Sequence, residues 1–182
     1  MITAIIEKFQ RRKQKNILEN HPLVFLKKTL KLGINNHFII YKNIHEFPIG
    51  ENVSFRDYNH MTVQDKAKLT IESNVFFNNH CSITCLESIS IGENTLFGEN
   101  VKLYVHNHSY ERNDKGLQIF HSEFNTAPIS IGKNCWLGSN VVVLKGVTIG
   151  NNCIIGTGVL VYKDVPSNSI IKAKQELITH QI

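Results

Sequence analysis

The chain has 182 residues and carries 20 Lys or Arg against 15 Asp or Glu, a formal charge of +5 at pH 7. This length predicts one domain with an N-terminal extension. No stretch is apolar for long enough to predict a transmembrane helix, and the charges after Met1–Ile6 come in the wrong order for a secretory signal. The expected compartment is therefore the cytoplasm. No nucleic-acid-binding module is recognisable, so nucleic acid is not an expected partner.

Residues 1–33 are predicted to form a helical cap or extension. Two apolar stripes at helical spacing predict two helices over residues 2–31, joined at Pro22. The first stripe is Ile2, Ile5, Ile6 and Phe9, and the second is Leu23, Phe25, Leu26 and Leu30. Such helices cover the open end of a solenoid or form a subunit contact. A basic run in the first helix is predicted to be a solvated face, with peripheral membrane contact as the alternative; it comprises Lys8, Arg11, Arg12, Lys13 and Lys15.

A six-residue phrase, aliphatic-Gly-any-Asn, recurs through the rest of the chain. It begins at Ile49, Ile91, Ile131, Leu137 and Ile149, and Phe97 begins the same phrase with an aromatic residue. A short exact period predicts a β-solenoid, here over residues 34–170. The fifth residue of one hexad and the first of the next lie two apart, so both are predicted to point inward from a short strand.

Positions 2 to 4 of each hexad are predicted to form a corner, because Gly and Asn tolerate left-handed backbone angles. One strand and one corner per six residues predict three flat sides per coil. An ordinary sandwich of short strands is the alternative, but it predicts irregular spacing. Cys81, Cys135 and Cys153 fall at the inward fifth position and are predicted to be reduced core thiols, whereas Cys85 receives no role.

The repeat is interrupted between about residues 109 and 127, where one long loop is predicted to protrude. Such a loop inside a regular scaffold is often functional, and its base is the natural place for a site. His106 and His108 precede the interruption. When the hexad register is carried forward from Leu103, His108 takes an outward strand position. Histidine titrates near neutrality, which suits a general base.

Three further stretches make the sequence similar to a known family: residues 128–140, residues 145–150 and residues 163–166. Together with the histidine segment they resemble the hexapeptide-repeat acyltransferases, in the branch with the galactoside, maltose and nodulation acetyltransferases and the bacterial surface-sugar O-acetyltransferases. The resemblance covers about residues 49–170. It implies a left-handed parallel β-helix, a homotrimer with sites between subunits, and acetyl-CoA as the acyl donor.

The resemblance also implies roles for individual residues. The catalytic base matches His108, with His106 as the alternative, and Asn78 matches an acceptor contact. Tyr110 is a further candidate acceptor contact because it lies in the interruption. The candidate acyl-donor contacts are Trp136, Gly138, Ser139, Gly156, Thr157 and Lys163. In the implied reaction, the base takes the proton from a sugar or polysaccharide hydroxyl as its oxygen attacks the thioester.

The chain departs from the family near its end. Thr157 stands where Ala is frequent, and residues 172–175 replace the usual Gly-x-Pro-Ala element, so the residue that binds the CoA phosphates is unassigned. Residues 171–182 are predicted to form a tail. Two other functions stay open: a zinc hydratase resembling the γ-class carbonic anhydrases, and a non-enzymatic scaffold. The hydratase needs three converging histidines, whose family spacing is not apparent, so no metal is expected.

Overall fold

A computed structural model describes residues 2–174 and 176 and shows a three-sided parallel β-helix of six coils, preceded by one helix. Each coil contributes one strand to each of three parallel sheets, which we name sheets A, B and C in the order in which each coil enters them. The left-handed β-helix implied by the resemblance is confirmed.

The elements follow one another regularly along the chain. Helix α1 covers Ile2–Glu19, and the first three coils contain β1 (Val24–Leu26), β2 (Lys31–Leu32), β3 (His37–Ile40), β4 (Phe47–Ile49), β5 (Ser54–Phe55), β6 (His60–Val63), β7 (Lys68–Ile71), β8 (Phe76–Phe77) and β9 (Ser82–Cys85). The fourth coil and the hairpin after it contain β10 (Ser88–Ile91), β11 (Leu96–Phe97), β12 (Lys102–Tyr104), β13 (His106–Asn113) and β14 (Gly116–Thr126). The remaining strands are β15 (Ile129–Ile131), β16 (Trp136–Leu137), β17 (Val142–Leu144), β18 (Thr148–Ile149), β19 (Ile154–Ile155), β20 (Leu160–Val161) and β21 (Ile170–Ile171).

Strand β21 adds a seventh strand to sheet B, because it pairs in parallel with β19. The predicted tail over residues 171–182 thus begins on a strand residue, and residues 175 and 177–182 lie outside the described residues. Within residues 2–174 and 176, no helix combines the length and the apolar composition needed to cross a bilayer.

The inward hexad positions form one core, as predicted. Ile131, Leu137 and Val143 begin three successive hexads, and each is at most 2% exposed within the same hydrophobic cluster. Behind sheet B, the rings of Phe55, Phe77 and Phe97 stack with centroids 4.5 and 4.6 Å apart. Stacking of like residues from coil to coil therefore packs the layers of the core against one another.

Corner asparagines take the left-handed backbone conformation, as predicted. Their φ angles lie between 55° and 60° at Asn52, Asn74, Asn94, Asn100, Asn134, Asn140 and Asn152. Stacked asparagines also bind one another: Asn94 Nδ2 donates to Asn134 Oδ1, and Asn134 Nδ2 donates to Asn152 Oδ1, both at 3.1 Å. Asparagine thus serves both the turn of the backbone and the cohesion of neighbouring coils.

Glycine occupies the corner position at residue 92 for a different reason from the one that the sequence predicts. Positive φ angles occur at other glycines, among them Gly146 and Gly158, and not at Gly92. A Cβ on Gly92 would lie 2.6 Å from the carbonyl carbon of Gly132 and 2.7 Å from the backbone nitrogen of Lys133. The next coil passes too close for any side chain, so glycine is required here for space rather than for backbone angle.

The second predicted helix, over residues 22–31, is wrong. Val24–Leu26 forms β1, which pairs in parallel with β4, and Val24 is buried while Phe25 is exposed. The apolar spacing of this segment fits a strand as well as a helix. Pairing with the open edge of the second coil decides the outcome, because it satisfies backbone groups such as the N–H of Lys27, which donates to Ile49 O at 3.3 Å.

The first predicted helix is present as α1, but it packs through another face than the one predicted. Gln14 and Leu18 are buried, and α1 lies against β1, β2 and β3. The predicted apolar face is exposed instead, to 63% at Ile5, 51% at Ile6 and 69% at Phe9. The apolar side of α1 therefore points away from the solenoid.

The four cysteines are all buried, and none of them forms a disulfide. Burial raises the pKa of Cys81 to about 11 and that of Cys85 to about 12. Both thiols therefore stay protonated at neutral pH and are poor nucleophiles. Cys85 is the last residue of β9 and points inward, as Ile83 does two residues earlier.

The predicted loop is a two-stranded antiparallel hairpin, formed by β13 and β14, and it begins at His106 rather than near residue 109. The Ala127 N–H donates to Val105 O at 3.0 Å and closes the neck of this hairpin. The insertion consequently leaves the solenoid and returns to it at one corner, between sheets C and A.

The close contact at the corner glycines predicts a stability defect. Gly92→Ala should lower the free energy of unfolding by about 1–3 kcal/mol, because the new methyl group must push backbone atoms of the fifth coil apart. The thermal midpoint should fall by about 3–10 °C in a calorimetric scan. Glu51→Ala, at an exposed corner position, is the matched control and should change the midpoint little. Equal midpoints for both variants would contradict the packing argument.

Candidate active site

The hairpin brings His108 to a backbone carbonyl of the opposite strand. His108 Nδ1 lies 3.0 Å from Phe120 O. Because a carbonyl oxygen can only accept a hydrogen bond, Nδ1 must carry the proton that is donated. In the neutral imidazole Nε2 is then left unprotonated, with a lone pair available to accept a proton. His108 is exposed, so solvent or a substrate can reach it.

An irregularity in the hairpin produces this contact. Between the paired residues His108–Phe124 and Tyr110–Ile119, β13 advances by two residues while β14 advances by five. The surplus residues of β14 bulge out of the ladder, and Phe120 lies among them. A bulge frees backbone groups from the regular pairing, which explains why the carbonyl of Phe120 accepts from a side chain.

His106 has a different environment from His108. It is half-buried, and its Nδ1 is enclosed with no hydrogen-bond partner among the residues that the structure describes. Its ring meets Phe124 edge-on at a centroid distance of 5.2 Å and lies 6.4 Å from the ring of His108. Burial first, and the nearby His108 second, lower the pKa of His106. His106 is therefore neutral at pH 7.

A cleft of about 390 Å³ opens at the base of the hairpin. It is lined by Asn107, His108, Ser109, Tyr110, Asn125 and Lys145. Lys145 comes from the corner after β17, and its Nζ donates to Asn125 Oδ1. The cleft thus joins both strands of the hairpin to the fifth coil, and it holds the predicted residues His108 and Tyr110.

The sequence prediction missed Asn125 and Lys145. Coil register is a signal that points to Lys145, because Leu144 stacks on Tyr104 and the next residue must lie at the same corner as the hairpin. Asn125 lies inside the non-repeating segment. It pairs with Asn107 across the hairpin, and that register has no counterpart in the six-residue period.

The predicted site residues lie along two different edges of sheet C. The corner between sheets B and C, which precedes each strand of sheet C, holds Asn78, Gly138, Ser139, Gly156 and Thr157. The corner between sheets C and A, which follows each of those strands, holds His106, His108, Tyr110 and Lys163. Trp136 lies on sheet B just before the first corner. The width of sheet C separates the two groups within one chain.

Residues at the corner between sheets B and C also have local roles in the fold. Asn78 Oδ1 accepts from Arg56 Nη1 at 3.4 Å, and Ser139 Oγ accepts from the N–H of Glu99 at 3.3 Å. A Cβ on Gly138 would lie 2.8 Å from the backbone nitrogen of Thr157. Stacking of coils alone therefore accounts for these residue types, and their roles toward a ligand stay predictions.

An apolar stripe runs along the outside of sheet B beside this corner. Trp136 is exposed and lies between its exposed strand partners Leu96 and Ile154. Contiguous exposed apolar surface of this kind is typical of a binding site. Lys163, at the other corner, is exposed and holds its Nζ 5.6 Å from the ring of Tyr162. In the described part of the chain, no group of three or more His, Cys, Asp or Glu side chains is placed to hold a metal ion.

Comparison with known proteins identifies relatives of the solenoid. Residues 128–163 match the family model described as the hexapeptide repeat of succinyl-transferase. Nodulation protein L of Rhizobium meliloti (strain 1021) is 40% identical over 100 residues, which cover 54% of this chain and 51% of that protein. Galactoside O-acetyltransferase of Escherichia coli (strain K12) is 36% identical over 106 residues, which cover 57% of this chain and 49% of that protein. The chain thus spans about half the length of these relatives.

Solved structures share the fold. A mutant of AntD, an N-acyltransferase from Bacillus cereus in complex with dTDP-4-amino-4,6-dideoxyglucose and coenzyme A, matches with a TM-score of 0.69 at 14% identity. The match covers 86% of this chain and 82% of that one. Together these findings confirm the predicted resemblance to the hexapeptide-repeat acyltransferases.

The pKa of His106 should depend on the ring of His108. His108→Gln removes the neighbouring group whose positive charge lowers the pKa of His106, so that pKa should rise, while burial still keeps it below the ordinary histidine value. NMR titration of the imidazole signals measures this shift. His121→Gln, at an exposed position of the same hairpin, is the control and should leave the pKa of His106 unchanged. An unchanged or lower pKa of His106 in His108→Gln would contradict the coupling.

Proposed function

We propose that this protein transfers an acetyl group from acetyl-CoA to a hydroxyl of a sugar or surface-polysaccharide unit, with His108 as general base. The observation that carries the proposal is the 3.0 Å hydrogen bond from His108 Nδ1 to Phe120 O, which leaves Nε2 to accept a proton. Two comparisons support the chemistry: one relative is named a galactoside O-acetyltransferase, and AntD is an acyltransferase in complex with coenzyme A.

In this mechanism His108 transfers one proton from the acceptor hydroxyl to the sulfur of the leaving group. Acetyl-CoA supplies a thioester whose carbonyl carbon accepts the hydroxyl oxygen. As the C–O bond forms, His108 Nε2 takes the hydroxyl proton. The Phe120 carbonyl keeps its hydrogen bond to Nδ1 and stabilises the imidazolium. As the C–S bond breaks, Nε2 returns the proton to the sulfur and His108 is neutral again. A base held in this way contributes about 10²–10⁴ in rate.

The acyl donor fits the outside of sheet B and the corner beside it. The exposed stripe of Leu96, Trp136 and Ile154 offers a flat apolar surface to the pantetheine arm. Further contacts to that arm are proposed at the next corner, from Gly138, Ser139, Gly156 and Thr157. Lys163 lies at the other edge of sheet C, so we propose that it supplies a cation for the phosphates of a donor held by a neighbouring subunit, which a flexible ammonium group suits.

The acceptor fits the cleft at the base of the hairpin. Asn107, Tyr110 and Asn125 offer amide and phenol groups that hydrogen-bond sugar hydroxyls, and Lys145 adds an ammonium group. A polar cleft beside the base is what a hydroxyl acceptor needs, because the reacting oxygen must lie within hydrogen-bond reach of Nε2. Asn78 is the remaining proposed acceptor contact.

A complete site requires two copies of the chain. His108 and Asn78 lie on opposite edges of sheet C, so the hairpin corner of one subunit must meet the corner between sheets B and C of the next. A cyclic arrangement repeats that contact around a ring, and we propose a homotrimer. We also propose the cytoplasm as the compartment, in line with four buried thiols that form no disulfide. No observation favours the zinc hydratase or the scaffold.

Replacement of the base tests the proposed activity. His108→Ala should reduce kcat by about 10²–10⁴, with little change in the KM for acetyl-CoA, because the lost group acts only on the hydroxyl proton. Mass spectrometry of a panel of sugars and oligosaccharides incubated with acetyl-CoA detects the product. His121→Ala, on the same hairpin but outside the cleft, should keep full activity.

The outcomes of that experiment separate the two histidines. Full activity in His108→Ala would remove His108 as the base, and loss confined to His106→Ala would transfer the role to that residue. If no sugar in the panel gains an acetyl group with the unmodified protein, the proposed function fails.

Mixed oligomers test whether each site is shared between subunits. His108→Ala and Asn78→Ala chains should each be nearly inactive alone. When they are co-expressed, about a quarter of the shared sites in a random mixture combine an intact His108 with an intact Asn78, and activity should return to about that fraction. The control is separate expression followed by mixing without subunit exchange, which should restore nothing. Absence of recovery in proven mixed oligomers would contradict a shared site.

A further inference from the structure

The outer surface of α1 carries an apolar stripe that the rest of the described chain leaves uncovered. Ile5 and Phe9 are one turn apart, Ile6 lies beside them, and all three are more than half exposed. The opposite side of α1 holds Gln14 and Leu18 against the first coil. The helix is therefore fixed with its apolar side outward. We name this side, Ile5, Ile6, Phe9, Arg12 and Lys13, the outer face of α1.

The charges of α1 are divided between its two sides. Arg11 pairs with Glu7 at 3.1 Å, and Lys15 pairs with Glu19 at 3.3 Å, which neutralises two of the five cations. The other three are Lys8, Arg12 and Lys13. They are exposed, and no carboxylate in the described part of the chain lies within ion-pair distance of them. Residues three and four apart share a helix face, so Arg12 and Lys13 adjoin Phe9.

We propose that the outer face of α1 docks on an anionic lipid surface. A helix with apolar residues on one side and unpaired cations beside them lies in the plane of the membrane interface. Phe9 and Ile5 enter the boundary between headgroups and acyl chains, while Arg12, Lys13 and Lys8 contact the lipid phosphates. Docking in this way holds the solenoid at the membrane surface, while α1 lies along that surface and does not span the bilayer.

Charge complementarity favours lipid over a second copy of the chain. If two outer faces met, the unpaired Arg12 and Lys13 of each copy would be brought together without acidic partners. Like charges in contact oppose association, whereas an anionic surface neutralises all of them. A solvated face, which the sequence predicts for the basic run, accounts for the exposed cations but not for the exposed apolar stripe beside them.

Vesicle sedimentation with the full chain tests the proposal. Vesicles of phosphatidylcholine with about one third phosphatidylglycerol should carry the protein into the pellet, and pure phosphatidylcholine vesicles should carry much less. Raising the salt to about 0.5 M should release most of it, because screening shortens the reach of the surface charge. Neither measurement depends on enzymatic activity, so the docking and the proposed function are tested separately.

Matched variants assign the binding to one side of the helix. Arg12→Ala/Lys13→Ala should weaken partition to anionic vesicles about tenfold or more. Arg11→Ala/Lys15→Ala removes the same charge from the same helix, but from the ion-paired side, and should weaken partition much less. Phe9→Ser should also weaken partition about tenfold, because it removes the largest apolar group of the outer face. Circular dichroism should show unchanged secondary structure in all three.

Three results would overturn the docking proposal. The first is that the unmodified protein stays in the supernatant with anionic vesicles at low salt. The second is an equal loss of partition in the two double variants, which would show that net charge and not the outer face governs binding. The third is a lower oligomeric state of Phe9→Ser in analytical ultracentrifugation with unchanged vesicle binding, which would show that a second copy of the chain covers this face.

Discussion

The fold depends on backbone pairing between successive coils that lie directly on one another. The N–H of Gly92 donates to Ile131 O at 2.8 Å, and equivalent bonds join the coils along all three sheets. This close approach excludes a Cβ at Gly92 and stacks asparagines such as Asn94 and Asn134 within hydrogen-bond distance. This constraint explains the six-residue period of the sequence, because each coil must place the same residue types at the same position.

The interior was predictable because it follows from period alone. Leu137 and Val143 begin hexads, and they are buried as expected. The structure of the N-terminal segment was not predictable in this way, because the apolar spacing of Val24–Leu26 fits both a helix and a strand. The open edge of the second coil decides between them, and that edge is a tertiary feature. The orientation of α1 likewise depends on the surface against which Leu18 packs.

The candidate site was predictable only in part, for a related reason. His108 is a predicted base because it lies where the repeat stops and matches the histidine of the similar family. The carbonyl of Phe120 and the amide of Asn125 were not, since both depend on an irregular register between two strands outside the period. The repeat also conceals that Asn78 and His108 stand on opposite edges of sheet C. The period of the sequence shows where the repeat is interrupted, but the pairing of β13 with β14 determines which groups meet inside the hairpin.

The hairpin leaves and rejoins the solenoid through one neck, where the Ala127 N–H meets Val105 O. The coils on either side pair as though nothing were inserted, with the Lys102 N–H donating to Val141 O at 2.9 Å. The length of the hairpin carries only a small entropic cost, since doubling the length of a loop costs about 0.6 kcal/mol. The hairpin can therefore change independently of the solenoid. During evolution, its length and shape can vary while the coils on either side keep their pairing.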